Sequence, residues 1–362
     1  MKNIFLLMAL CVAVALTIVS GKALAENEVT ENVTLTFTPE GLQKAAQYSA
    51  QRGGSAVLVM QNGEIIFEDY HNGADENTAT QIHSATKGFW AVATAAAIED
   101  GIITGYNEVI ADTITEWKNI TLHPGKKQIT LSHLVSLTSG LSQDIAFIQG
   151  EKPLARNIYR YVVNNLRLNF MPGTRFVYGP SHYYTFGEFL RRKLRQQGID
   201  QDPLEYLEER IFKPIGLEYQ KWIYDEAGNP HIPNGCYITP RNWVKFGQLL
   251  LQKGAWNGKQ IVARDLMEAL FVPQGVNAGH GVFLWLNRPG GEPPAGQAAR
   301  KAPENAAGGF IFHDGYTDII ACMGAGTNRM YIIPSLNAVV VRQSPGDKSY
   351  FSDHDFLALL LK

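Results

Sequence analysis

The chain has 362 residues, 45% of them hydrophobic and 18% charged, with 34 glycines and 17 prolines. That composition belongs to a globular protein and excludes a disordered, collagenous or coiled-coil chain, while the length fits one large domain with an insertion or two domains. Thirty-two basic against 34 acidic residues give a net charge of -2, which offers no basic surface for nucleic acid.

The chain opens with Met1-Lys2-Asn3, an uncharged apolar run from Ile4 to Val19, then Ser20-Gly21-Lys22 and Ala23-Leu24-Ala25. A basic start, a short apolar run and an Ala-x-Ala site are the pattern of a secretory signal peptide, with cleavage expected after Ala25 and a periplasmic or secreted product. The apolar run falls short of the roughly 20 residues of a spanning helix, so no stable membrane span is expected. Processing removes Lys2, Lys22 and no acid, leaving 30 basic and 34 acidic residues and a charge of -4. It also removes Cys11 and leaves Cys236 and Cys322, which pair if the fold brings them together and otherwise stay as buried thiols. The nine histidines are scattered, without zinc spacing, and no acidic calcium loop occurs, so neither metal nor cofactor is expected.

Beyond a helix near 39–51, segments 55–60 and 65–70 are rich in β-formers and flank Asn62-Gly63, whose tolerance of positive φ predicts a two-stranded hairpin. From Ser84 to about residue 272 the pattern is helical, at 84–101, 130–138, 153–166, 182–197, 204–213, 240–253 and 263–270. End signals support it, including Thr130, Pro240, Gly198 and Gly254. Strands return at 281–286, 308–313, 317–323, 328–334 and 337–343, before a last helix near 351–361. The stretch 288–307, rich in Gly, Pro and Ala, reads as a loop. The expected architecture is therefore α+β: an antiparallel sheet built from both chain ends and flanked by helices, with a helical insertion. Residues 26–83 and 275–362 form the sheet region and 84–274 the helical region, with the active site where they meet.

Ser84 and Lys87 stand at i and i+3 of a predicted helix and so share a face. A serine hydroxyl becomes a good nucleophile when a neighbouring base takes its proton, and a lysine serves if burial disfavours its charge. The apolar run behind Lys87 offers that burial, although an N-capping serine with a solvated lysine has the same local pattern. Tyr178, on a loop between Pro172-Gly173 and a helix beginning near His182, can be aimed into a cleft or be one of the chain's 15 tyrosines buried with a satisfied hydroxyl, and position alone does not decide between them. Two cationic neighbours there would lower its pKa and let it act as a base.

Taken together, Ser84-x-x-Lys87, the run Ile129-Thr130-Leu131-Ser132-His133-Leu134 to Gly140-Leu141, and Tyr178 after Pro172-Gly173 resemble the serine β-lactamase-related hydrolases. That superfamily includes class C β-lactamases, D-alanyl-D-alanine carboxypeptidases, esterases and 6-aminohexanoate-oligomer hydrolases. The run from Thr239 to Val262 is similar to a helix-and-turn segment of the family, and Gly324 to Pro334 with Ala338 to Arg342 to its last two strands. This ending most resembles the 6-aminohexanoate-hydrolase branch. The resemblance implies a β-lactamase/transpeptidase-like fold and an acyl-enzyme mechanism. Ser84 attacks a carbonyl, Lys87 and Tyr178 share the proton traffic, and the backbone N–H groups of Ser84 and Met323 form the oxyanion hole. Ser181, Tyr183, Cys236 and Gly324 are expected around the substrate, with Tyr184, Phe283 and Trp285 as further candidates.

Three departures narrow the substrate. Pro180 occupies the third position of the family's Tyr-x-Asn or Tyr-x-Ser motif, so that hydrogen bond must come from Ser181 or His182. Ala321-Cys322-Met323-Gly324 stands where the family carries Lys-Thr-Gly or His-Thr-Gly, the cation and hydroxyl that help bind a substrate carboxylate. Thr327-Asn328 replaces the Gly-Gln of the oligomer-hydrolase branch. The expectation is an exported serine hydrolase acting on a small carboxylic ester or linear amide. The alternatives are a β-lactamase or carboxypeptidase whose missing lysine is replaced by Arg329 or Arg342, and a non-catalytic binding homologue. No serine sits in a Gly-x-Ser-x-Gly elbow, which excludes an α/β-hydrolase.

Overall fold

The computed structural model describes residues 37–143, 145, 156–294, 300–346 and 350–361. The signal-peptide region, the start of the helix expected at 153–166 and the centre of the 288–307 loop lie outside these residues.

Thr38 accepts from Gly41 N and caps α1 (Pro39–Gln51). Strands β1 (Ala56–Gln61) and β2 (Glu64–Tyr70) pair antiparallel around Asn62 and Gly63, both at positive φ, as the Asn-Gly signal requires. A two-residue strand β3 (Thr80–Gln81) leads into α2 (Lys87–Glu99), which is buried from Lys87 to Ala97. A helix apolar on all sides has no solvent face and belongs at the centre of a domain. Around it lie α3 (Ile110–Thr113), α4 (Leu131–Val135), α5 (Ile158–Asn164), α6 (Ser181–Gln196) and α7 (Pro203–Leu207). The capping box of α4 joins Thr130 to His133.

Strands β4 (Lys221–Trp222) and β5 (Cys236–Ile238) join β3 in a small sheet of order β3-β5-β4. Helix α8 (Pro240–Leu251), the hairpin β6 (Ala255–Trp256) and β7 (Lys259–Gln260), and α9 (Arg264–Ala269) follow. The last part supplies β8 (Trp285–Leu286), β9 (Ile320–Met323), β10 (Arg329–Ile333), β11 (Ala338–Gln343) and α10 (Asp353–Leu360).

The main sheet is antiparallel with order β2-β1-β11-β10-β9-β8, so the N-terminal hairpin closes onto the C-terminal strands through Leu58 opposite Val341. Alternation divides its side chains between two cores. Val57, Val59, Tyr331, Ile333 and Val340 face α1 and α10, where Leu42, Ala46, Phe356 and Leu360 cover them. Leu58, Met60, Met330, Ile332, Val339 and Val341 face α2 and α8, meeting Phe89, Phe246 and Leu250.

Two expected strands are shortened or absent for local reasons. In 281–286 the backbone bonds go to the helical region, Val282 N to Leu270 O and Phe283 N to Val135 O, and Phe283 has φ +54, so extension begins only at Trp285. In 308–313 a side chain takes the place of a neighbouring strand: Asn287 Oδ1 accepts from Ile311 N and Phe312 N, while its Nδ2 donates to Phe312 O. The two- and three-residue strands β3 to β7 are too short to leave a periodic signal. Among the described residues no helix is long and apolar enough to cross a membrane.

Candidate active site

The small sheet fixes the entry to α2. Thr80 and Gln81 pair with Ile238 and Tyr237, and Ile82 N donates to Cys236 O at 3.1 Å. At His83 the chain reverses with φ +47 and runs through one 3-10 turn, His83–Thr86, into α2. A non-glycine residue at positive φ is strained and persists where its surroundings fix it. The result presents Ser84 at the mouth of a cleft with the Lys87 side chain directly behind it.

Lys87 Nζ donates to Ser84 Oγ at 2.7 Å and to Pro233 O at 3.1 Å, and lies 5.0 Å from the Tyr183 ring centroid and 5.2 Å from that of Tyr178. The residue is 6% exposed, and burial pushes its amine down to about 7. This excludes the solvated lysine of the capping alternative. It leaves an amine that exchanges its proton near neutral pH, so the 2.7 Å contact can reverse, with Ser84 donating to a neutral Nζ.

Tyr178 also faces this centre, its ring 5.5 Å from that of Trp285. Here the sequence expectation is corrected in sign. Burial dominates and pushes the phenol up to about 12, against the opposing pull of a hydrogen bond with Ser84 and the charge of Arg329. Tyr178 is therefore a neutral phenol at neutral pH, and Lys87 is the group whose pKa suits a base. The Tyr178 loop is held by Val177 N donating to Leu137 O and by His182 Nε2 against Val177 O at 2.9 Å. The same imidazole meets Ser139 Oγ and Gln143 Nε2, and burial lowers it to about 4, keeping it neutral.

The opposite wall is the β9 end. Gly324 N donates to Asn328 O across to β10 at 2.8 Å. Successive amides on a strand point to opposite sides, so the Met323 N–H points away from β10, and β8 begins opposite Ala321, before Met323 is reached. Two glycines let this strand end approach the serine turn. A Cβ at Gly88 would strike Cys322 Sγ, and one at Gly324 would strike Ile82 O. Behind it, Arg329 Nη1 donates to Gly324 O at 2.8 Å and Nε to Asp353 Oδ1 at 2.6 Å.

Ser84, Tyr178, Trp285, Met323, Gly324, Thr327, Arg329 and Arg300 all line one cavity of about 330 Å³. The structure thus brings together Ser84, Lys87, Tyr178, Met323 and Gly324, with Tyr183 packed under Lys87. It separates the other expected lining residues from the cleft. Ser181 Oγ is buried and donates to Ser142 O, and His182 is spent on the loop, so neither supplies the hydrogen bond that Pro180 lacks. Cys236 is fully buried in the small sheet, and Cys236 and Cys322 are both free thiols. Phe283 packs on Tyr183 and Phe186, and Tyr184 on His231, both in the core. Arg342 binds Thr327 O and Oγ1 and the Arg52 carbonyl. Arg300 was unforeseen, because no motif surrounds it in the sequence. A second cavity, of about 400 Å³, is lined by His83, Gln81, Asn72 and Tyr237.

The sequence profile of the Beta-lactamase family matches residues 41–361. Among solved structures, a protein assigned as a 6-aminohexanoate-dimer hydrolase from Bacillus anthracis superposes with a TM-score of 0.67 at 20% identity, covering 87% of this chain and 79% of that one. One assigned as a beta-lactamase from Bacteroides dorei DSM 17855 superposes with 0.68 at 16% identity, covering 90% and 98%. EstCE1, a hydrolase with promiscuous acyltransferase activity, gives 0.64 at 15% identity, covering 88% and 96%. At these identities the likeness is one of fold.

Proposed function

The chain belongs to the Beta-lactamase family, a superfamily of serine hydrolases, and from that premise we propose that it is an exported hydrolase that forms an acyl-enzyme on Ser84 and acts on a small carboxylic ester or linear amide. The observation that carries this reading is the buried 2.7 Å contact between Ser84 Oγ and a Lys87 amine that titrates near neutrality. Neutral Lys87 accepts the Ser84 proton as Oγ attacks the carbonyl, and the oxyanion is received by the N–H groups of Ser84 and Met323. Tyr178, a neutral phenol, hands a proton to the leaving group and recovers it through Lys87. Water then cleaves the ester, with Lys87 again as base. The reaction takes place where the end of β9 approaches the start of α2.

The absence of a Lys-Thr-Gly motif on β9 favours an ester or linear amide over a β-lactam. Expression of the full chain tests export and chemistry together. The exported fraction should begin at Glu26 and hydrolyse p-nitrophenyl butyrate, and Ser84→Ala should abolish that hydrolysis. Unchanged turnover by the variant would falsify the reading.

A further inference from the structure

The loop that presents Tyr178 is gripped by a fully buried side chain outside the cleft, His182, the second residue of α6. The bonds of its ring leave one neutral tautomer. Val177 O can only accept, so Nε2, 2.9 Å away, carries the ring hydrogen and donates to it. Nδ1 is then the acceptor, and the Ser139 hydroxyl donates to it at 2.9 Å while Ser139 Oγ accepts from Leu141 N at 3.3 Å. Val177 O belongs to the same planar peptide as Tyr178 N, and Val177 N donates to Leu137 O, so the backbone is held on both sides immediately before Tyr178. Just after it, Gln143 lies against Gly179, where a Cβ would strike its side chain, and Gln143 Oε1 accepts from Ser181 N at 3.0 Å. Pro180 brings no polar side chain to this task, and His182 stands two residues beyond it.

Resting on the proposed role of Tyr178 as the acid that protonates the leaving group, we infer that His182 is a positioning residue: through Val177 O it fixes the reach of the Tyr178 hydroxyl to the departing atom. As the C–O or C–N bond breaks, the Tyr178 proton passes to that atom, and Lys87 returns to the phenolate the proton it took from Ser84. A well-placed acid matters most where the leaving group is poor. p-Nitrophenolate departs without a proton, whereas an alkoxide or an amine does not. His182 thus decides whether the site turns over unactivated esters and amides, and not only activated ones.

The test compares kcat/KM for p-nitrophenyl butyrate and ethyl butyrate, which share one acyl group. His182→Leu removes the donor and should lower kcat/KM for ethyl butyrate about a hundredfold more than for p-nitrophenyl butyrate, the cost of a misplaced catalytic group. Both esters are assayed on one preparation, so their ratio is blind to any loss of folded protein. His182→Gln, whose amide nitrogen can reach Val177 O, should restore much of the ratio. Tyr178→Phe should show a selective loss of its own, and adding His182→Leu to it should bring no further selectivity, because both act through one hydroxyl. An equal loss on the two esters, no loss on either, or a selective effect of His182→Leu that persists in full beside Tyr178→Phe would overturn the assignment while leaving the hydrolase reading in place. A wild-type protein inert toward both esters, or a Tyr178→Phe variant without selective loss, would instead locate the failure in the proposed mechanism, and the assignment would fall with it.

Discussion

Lys87 is where the chemistry and the burial of this molecule meet. Its amine is pushed down to about 7 by desolvation, and only the neutral form can take a proton from Ser84. The logarithm of kcat/KM for a neutral ester should therefore rise with slope one as pH increases toward about 7 and level off above it. Lys87→Met should remove that limb and lower kcat/KM by about a hundred- to ten-thousandfold, the usual worth of a general base. A limb that stays in place in the variant would assign the titration to another group. The Ser84–Lys87 pair was legible because its geometry is local, set by helical spacing alone. The acidity of Tyr178 was not, because burial is a property of the packed fold and outweighs the cations that the sequence made conspicuous. Arg300 left no signal for the same reason, since it reaches the cavity only through tertiary placement.

At the scale of elements, the site depends on how closely β9 approaches the start of α2. Gly88 packs on Cys322, and a methyl group there must displace a sulfur held in the core. Gly88→Ala should cost about 1–3 kcal/mol in urea unfolding, the range for overpacking a core. Combined with Cys322→Ala it should cost less than the two single changes added together, because the contact is shared. Strict additivity would show that the helix and strand are not in contact there. Elements with a strong local signature were read well: the Asn62-Gly63 hairpin, α8 behind Thr239-Pro240, and α6 up to the turn at Gly198. The failures fell where hydrogen bonds leave the ladder, as at 308–313, whose amides bind the Asn287 side chain. A β-rich composition does not reveal where its partner lies.

Over the whole molecule, the six-stranded sheet joins residues nearly 300 positions apart, with Ala56 opposite Gln343. It was foreseeable because strands cluster at both termini while the middle is helical. The consequence is that the two walls of the cleft come from different parts of the chain. Ser84 and Lys87 follow the N-terminal strands, while Met323, Gly324 and Arg329 come from the C-terminal ones, and Asp353 on α10 braces Arg329 from behind. The central claim is that this arrangement makes Ser84 a nucleophile, and covalent labelling tests it most directly. After reaction with a fluorophosphonate at pH 8, the mass of the intact protein should rise by one phosphonyl group, and peptide mapping should place the adduct on Ser84 alone. An unmodified protein, or an adduct on another residue with Ser84 untouched, would contradict the account.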